Sequence, residues 1–376
     1  MMRVRWMWVA VAVAAVGCGG TITPGAQDGG AADGGAAAEG GAADRPADAA
    51  GVDAPATEAA AADALVDAPA VTYVTLAVDG DIAESGRTAQ AKAVAALIAG
   101  HTPPVAGLVL VGDNARYGGS GSLLSFYQTY YQPATQADFG RFDSTAFPQS
   151  GNHEYIETNA QGYCDYFAPR MTATKALPTY HGSIDTVGKG WYSLDVNGWH
   201  LISLNSNCSD IGGGCEAGGA QDHWLAGDLA AHAGMPILAA WHAPRWACGG
   251  SHPSDTAMQG FWARLYDAHA DFVFNGHNHY YPRWKPLDKA STAAVDPAAG
   301  LTEIVTGSGG VSTYTVCDDG AGNPTDTRVA RQLGGDPSIG VLLLTLGSDG
   351  SWAYEYRVKS DGSVFDSGAG TSHNAL

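Results

Sequence analysis

From Tyr73 onward, apolar residues gather in short runs and polar residues gather just behind them. The runs are "VTYVTLAV", "GLVLV", "WYSLDV", "WHLISLN", "PILAAW", "DFVFN", "TEIVTG" and "GVLLLTL". Their brevity and their content of Val, Ile and aromatic residues predict buried strands. Between some of them, "GRTAQAKAVAALIAG", "AQDHWLAGDLAAHAG" and "DTAMQGFWARLYDAHA" place apolar residues at helical spacing. Strands alternating with helices predict an α/β domain. The later strands lack helices between them, so part of the sheet is expected to be antiparallel. No internal repeat or linker interrupts residues 71–365, which read as one domain. Residues 366–376 are expected to fray.

The chain before this domain has another texture. Residues 1–18 begin with "MMRVR", continue with the apolar "WMWVAVAVAAVG" and end at Cys18. The apolar stretch is too short to span a bilayer comfortably, and its flanks are those of an export signal. "AVGC" resembles a bacterial lipobox, which predicts lipidation of Cys18. It implies an exported, outer-membrane lipoprotein facing the periplasm or the cell surface. An ordinary signal peptide that contains a cysteine is the alternative. Gly19 carries no signal for inner-membrane retention. Residues 19–70 are nearly all Ala, Gly, Asp and Pro, with nine acidic residues and one basic, Arg45. Such a segment cannot bury enough apolar surface to offset its ordering entropy, and it reads as a disordered tether.

Composition narrows the partners. The 376 residues are 45% hydrophobic and carry a formal net charge of −19. A surface of that sign repels phosphate backbones, so no nucleic-acid polymer is expected. The oligomeric state leaves no signal. Cys164, Cys208, Cys215, Cys248 and Cys317 follow Cys18. An exported chain meets an oxidising compartment, and Cys208 and Cys215 flank a glycine-rich loop as a candidate disulfide. Pairing of Cys164, Cys248 and Cys317 is left open. No C-x-x-C pair points to structural zinc or redox chemistry.

The polar clusters behind the strands carry the chemistry. Asp79, Gly80 and Asp81 follow the first run, and Gly112, Asp113 and Asn114 the second. "AFPQS" leads to Gly151, Asn152, His153 and Glu154. "PILAAW" leads to His242, and "DFVFN" to Gly276, His277, Asn278 and His279. Open α/β sheets bind ligands beyond the carboxyl ends of their strands. Taken singly, each cluster has a plain reading as a turn, a cap or a solvated histidine. "GHNH" is stronger, because residues two apart on an extended segment point the same way.

The order Asp, G-D, G-N-H-E, His, G-H-x-H resembles the calcineurin-like metallophosphoesterase superfamily, in its purple acid phosphatase-like branch. The resemblance covers about residues 72–360 and extends to "GNHEY", "WHLISLNSNC", "QDHWLAGDL", "WHAPRW" and "FNGHNHYYPRW". It implies an α/β/β/α sandwich with mixed parallel and antiparallel sheets. It also implies two metal ions, Fe, Zn or Mn, and hydrolysis of a phosphate-ester substrate by a metal-activated hydroxide. Phosphomonoesters are favoured over diesters. Two cations clamped on a phosphoryl group need a bridging carboxylate to offset their repulsion, with oxygen and imidazole ligands around it. By the resemblance, Asp113 is that bridge. Asp81 and His279 serve the first ion, and Asn152, His242 and His277 serve the second. His153 faces the substrate as a catalytic group, and Glu154 orients a neighbour. His252, in "GGSHP", is either a substrate-facing histidine or a loop histidine.

Two departures stand out. The branch usually reads G-D-x-x-Y, the tyrosine ligating the first ion. Here "GDNARY" puts Tyr117 one residue late, so a bulge is needed to deliver it. A phenolate would favour iron(III); without it manganese, zinc or iron(II) become the candidates. In "VDGDIAESG", Asp81 is the ligand if Gly80-Asp81 is the motif, with Asp79 at the pocket's edge. The other register makes Asp79 the main ligand. Alternative functions are a phosphodiesterase or nucleotidase of the same fold, or a non-catalytic surface lipoprotein that binds a phosphorylated ligand or a protein.

Overall fold

All eight apolar runs form strands. In the computed structural model the described residues are 70–184, 189–249 and 252–374. The export signal, Cys18 and the tether up to residue 69 lie outside the described residues. In chain order the strands are β1 Tyr73–Asp79, β2 Gly107–Val111, β3 Ala146–Gln149, β4 His181–Gly182 and β5 Tyr192–Val196. Next come β6 Trp199–Ser203, β7 Ile237–Ala240, β8 Phe272–Asn275, β9 Tyr281–Trp284 and β10 Thr302–Val305. The last are β11 Val329–Leu333, β12 Gly340–Gly347, β13 Ser351–Val358 and β14 Val364–Thr371. The helices are α1 Thr88–Ala99, α2 Leu123–Phe126, α3 Gln161–Phe167, α4 Thr172–Lys175, α5 Ala220–Ala231 and α6 Gln259–Asp267.

The strands build two mixed sheets. One has the order β14-β13-β12-β1-β2-β3, the other β11-β9-β10-β8-β7-β6-β5-β4. β1, β2 and β3 run parallel, and β12, β13 and β14 extend them antiparallel. In the second sheet β6, β7, β8 and β10 run parallel, with antiparallel strands at both edges. The expected mixture is therefore present in both sheets.

Strand periodicity sorts the core into layers. Leu201, Leu238, Phe272 and Phe274 share a core with Leu76, Val78, Leu342 and Leu344 of the first sheet. The alternate residues Ile202, Ala239 and Val273 pack with Leu225 of α5 and Phe261, Trp262 and Leu265 of α6. On the first sheet's other side α1 buries Ala91, Val94, Ala95 and Ile98, an i, i+3, i+4, i+7 stripe. The result is the α/β/β/α sandwich. Trp199 ties the sheets together, its indole N–H donating to the Gly347 carbonyl at 3.0 Å.

β13 was not among the predicted runs because it is only half buried. Its sequence "SWAYEYRV" buries Tyr354, Tyr356 and Val358 and leaves the residues between them less covered, so no continuous apolar run forms.

Fraying from residue 366 is corrected. β14 extends to Thr371, and Asp366 accepts from the Tyr281 hydroxyl at 2.8 Å and pairs with Arg283 at 2.7 Å. Beyond the strand, Ser372 Oγ and the His373 N–H donate to the Asp271 carboxyl at 2.6 and 2.9 Å. The segment is held by its backbone pairing with β13 and by these polar contacts rather than by an apolar run, so its composition conceals its order. A chain ending at residue 363 should lose at least about 2 kcal/mol of stability, from the charged hydrogen bonds alone. Urea unfolding compared with the full chain checks this; equal midpoints would mean the tail contributes nothing.

Candidate metal centre

The carboxyl ends of both parallel sets meet. The Asp81 N–H donates to the Gly112 carbonyl at 3.0 Å, and Gly276 N–H donates to the His242 carbonyl at 3.0 Å. Between the sets, the His277 N–H donates to Asp81 Oδ2 at 2.7 Å. Asp81, Asp113 and His277 adopt the left-handed backbone region, with φ of +55°, +45° and +69°. Non-glycine residues seldom do so, and such strain gathers at functional sites. The neighbouring glycines have a steric reason. A Cβ on Gly112, itself at φ +90°, would lie 2.5 Å from His242 Nδ1, and one on Gly151 would strike Asp113 Oδ1.

Donor atoms converge in two groups. Asp113, His242 and His277 each present a ligand atom, all within 4.8 Å of one another. Asn152 Oδ1 joins them, 3.2 Å from His242 Nε2. Beside them, Asp81 Oδ1 lies 3.2 Å from His279 Nε2. The outward ring nitrogens are pinned: His242 Nδ1 lies 2.8 Å from the Val111 carbonyl and His279 Nδ1 2.6 Å from that of Ser312. Such contacts set the tautomer and turn the Nε2 lone pair inward.

This donor set fits cations. Asp81 Oδ1 is buried and has no hydrogen-bond partner among the described residues. A bare buried carboxylate oxygen is costly without a positive partner. Burial lowers the His242 imidazole, but Asp113 and then Asp81 outweigh it and raise it to about 9. Burial likewise pushes the Asp113 carboxyl up, yet His242 and His153 hold it well below the usual carboxylate range. His277, buried and beside His242 and His252, falls to about 2. The centre thus draws positive charge onto one imidazole and keeps a neighbouring one neutral.

The surrounding residues fall into place individually. Glu154 accepts from the backbone N–H of Asp113 at 3.0 Å and Gly151 at 2.6 Å, and from the Tyr127 hydroxyl at 2.7 Å. Burial and then Asp113 raise its carboxyl to about 7. The His153 N–H donates to Asp113 Oδ1 at 2.9 Å, and its Nε2 lies 3.9 Å from Asp113 Oδ2. His252 reaches the centre, its ring 3.9 Å from that of His277.

Two expectations are corrected. The Tyr117 hydroxyl donates to the Gly121 carbonyl at 2.7 Å instead of facing Asp81. No bulge brings it round, because residues 113–116 run alongside 81–83, with Ile82 N–H on the Asp113 carbonyl and Arg116 N–H on that of Ala83. Asp79 is not at the pocket's edge: it is fully buried, and its Oδ1 accepts from the Gly80 N–H at 3.0 Å. Burial raises its carboxyl well above the ordinary value. Asp81 is the aspartate that faces the histidines.

Sequence reasoning missed Tyr314. Its ring stacks on His279 at 4.2 Å and lies 6.0 Å from His252. The available signal was "GSGGVSTYT", which follows the strand "TEIVTG" as the other site loops follow theirs. An open pocket of about 390 Å³ adjoins the centre, lined by Asn152, His242, His277, Asn207, Asp210 and Asp255 among others. Ala243 and Asp255 also line it, as do residues 206–210 at the start of the loop that the Cys208–Cys215 disulfide closes. Cys248 pairs with Cys317, and Cys164 is buried with its thiol donating to the Ile184 carbonyl at 3.3 Å.

A two-sheet α/β sandwich with an Asp/Asn/His centre at its joined strand ends is the architecture of a metallophosphoesterase. Residues 74–281 match the calcineurin-like phosphoesterase family, and the chain belongs to it. Purple acid phosphatase 21 of Arabidopsis thaliana is 31% identical over 167 residues, 43% of this chain and 35% of that protein. This chain therefore spans about a third of the length of that curated relative. Purple acid phosphatase PPD1 from yellow lupin (Lupinus luteus) seeds shares the fold at TM-score 0.57 and 15% identity, over 81% of this chain and 56% of that one. GAP50, the anchor in the inner membrane complex of Plasmodium, superposes at TM-score 0.53 and 13% identity, over 80% of this chain and 89% of that one.

Because the Tyr117 hydroxyl and Asp79 face away from the centre, Tyr117→Phe and Asp79→Ala should both keep the wild-type metal content. Elemental analysis of the purified variants checks this; loss of an ion from either would restore that residue as a ligand.

Proposed function

We propose that the chain is a binuclear-metal phosphoesterase acting on phosphate esters, monoesters foremost. Asp81 and His279 would hold one ion, Asn152, His242 and His277 the other, and Asp113 would bridge them. The observation that carries this reading is the buried Asp81 Oδ1, which has no hydrogen-bond partner among the described residues and faces His279 beside the Asp113, His242 and His277 cluster. A bound ion pair would supply charge neutralisation at the phosphoryl oxygens and a nucleophile at neutral pH.

The chain's own residues do the rest. His153 Nδ1 lies 2.8 Å from the Tyr117 carbonyl, a contact that orients the ring. With Nδ1–H donated there, Nε2 is the nitrogen facing the site, and it would hand a proton to the leaving oxygen from the doubly protonated ring. Glu154, through its bonds to the Asp113 and Gly151 N–H groups, holds the bridge against the G-N-H segment. His252 and Tyr314 wall the substrate side of His277 and His279. Asp210 and Asp255 in the pocket favour a small ester over a nucleic-acid polymer.

Asp113→Ala should lose bound metal and aryl-phosphate hydrolysis together. His153→Ala should keep the metal and lower kcat by about 10²–10⁴-fold, the usual contribution of a positioned acid. Elemental analysis with steady-state kinetics reads both, and full activity in Asp113→Ala would sink the mechanism. A binding role is the second reading, favoured by the displaced Tyr117 phenol and by the anchor named among the structural neighbours. Fewer than about one metal ion per chain would select it.

We also propose export, with lipid attached at Cys18 and residues 19–70 as the tether. The two disulfides support an oxidising compartment. Labelled fatty acid should enter the wild-type chain in its bacterial host and not Cys18→Ala; equal labelling would refute the anchor.

A further inference from the structure

Two loops that lay rings on the metal centre are joined by a covalent bond. His252 lies in the loop after β7, four residues beyond Cys248, and Tyr314 lies in the loop after β10, three residues before Cys317. The disulfide between these cysteines bridges a sequence separation of 69 and links the loops. Each ring covers an imidazole of the centre. That of His252 stands 3.9 Å from His277 at an interplanar angle of 31°, and that of Tyr314 stands 4.2 Å from His279 at 10°. The two covering rings are 6.0 Å apart.

The two rings are held unequally. The Tyr314 N–H donates to the His279 carbonyl at 2.8 Å, and its carbonyl accepts from the Gly335 N–H at 2.8 Å, so its own main chain places it. His252 makes ring contacts but no hydrogen bond among the described residues. Its place therefore depends on how the loop is tied. The Arg245 and Trp246 N–H groups donate to the Glu303 carboxyl at 2.7 and 2.9 Å and fix the loop's start. Nearer to His252, Cys248 supplies the ties: its carbonyl accepts from the Tyr280 hydroxyl at 2.8 Å, and its sulfur joins Cys317. The two loops meet closely there. Gly249 has φ +71°, and a Cβ on it would lie 2.7 Å from the Cys317 Cβ.

Resting on the phosphoesterase reading, we propose that Cys248 and Cys317 are positioning residues of that site, their disulfide holding the His252 ring against His277 beside Tyr314. A bond between segments far apart in sequence removes freedom that hydrogen bonds alone leave. Substrate-facing groups are sensitive to such freedom, since a displacement of about 1 Å can cost about 10²-fold in rate. The metal ligands do not depend on the bond. His277 and His279 follow β8, and their segment is fixed by the Gly276 N–H on the His242 carbonyl and the His277 N–H on Asp81. The disulfide thus acts on the substrate side of the centre and not on its ions.

The test is a double-mutant cycle on the full chain with its metal bound. Cys248→Ser/Cys317→Ser should keep wild-type metal content by elemental analysis and lower kcat/KM for an aryl phosphate about 10- to 100-fold. In a His252→Ala background the same pair of changes should cost less than about twofold, because the side chain they position is gone. A merely structural disulfide would cost as much there as in wild type, and that result overturns the proposal, as does unchanged kcat/KM in the folded double variant. Gly249→Ala pushes the two loops apart with the disulfide intact, and should lower kcat/KM in the wild-type background alone; it carries the same test if the double variant does not fold. A crystal structure of either variant reads the His252 position without any turnover, which separates this proposal from the phosphoesterase reading. A His252 ring still against His277 as in wild type overturns it whatever the activity.

Discussion

Two buried carboxylates, Asp81 and Asp113, meet where the strand ends of both sheets converge, and most of the architecture answers the cost of that meeting. A buried anion needs a partner charge or a full set of donors. Asp113 Oδ1 has the His153 N–H and nearby His242, whereas Asp81 Oδ1 has only the His279 ring near it among the described residues. The remaining demand for positive charge is what makes the centre a place for cations. Backbone strain at three of its residues is the local consequence of pressing these groups together.

The two sheets divide the donors between them. Loops after β1, β2 and β3 bring Asp81, Asp113 and Asn152, all oxygen donors. Loops after β7 and β8 bring His242, His277 and His279, all imidazoles. Neither sheet holds a complete set, so the centre exists only once the inner faces have packed. The core shared by Leu76, Val78, Leu201 and Phe274, and the Trp199–Gly347 hydrogen bond, therefore set donor distances as well as stability.

A common device recurs among the buried histidines. A ring is held from behind by a carbonyl or carboxylate. In the main centre the holders are the carbonyls of Val111 and Ser312; for His200 of β6 and His232 after α5 they are both on Asp228. Glu154 does the same for a carboxylate, fixing Asp113 through its main chain rather than its side chain. Side chains of this kind are buried and polar, and their roles follow from the atoms they face.

The sequence by itself determined the strands that are buried on both faces, because a continuous apolar run is a local pattern. It also determined which polar clusters stand behind those strands, and so the family and the candidate donor residues. It did not reveal β13, whose single buried face leaves an interrupted pattern, or the ordered tail, which polar contacts hold. Tyr117 and Asp79 were misjudged for a related reason: the direction of a side chain leaving a loop depends on which backbone runs beside it. The pairing of residues 113–116 with 81–83 turned Tyr117 toward Gly121, and Tyr314 arrived over His279 from a loop distant in sequence. Spacing along the chain records which donors are available. Only the packing of two sheets decides which atoms come within bonding distance, because those contacts join segments that no local pattern relates.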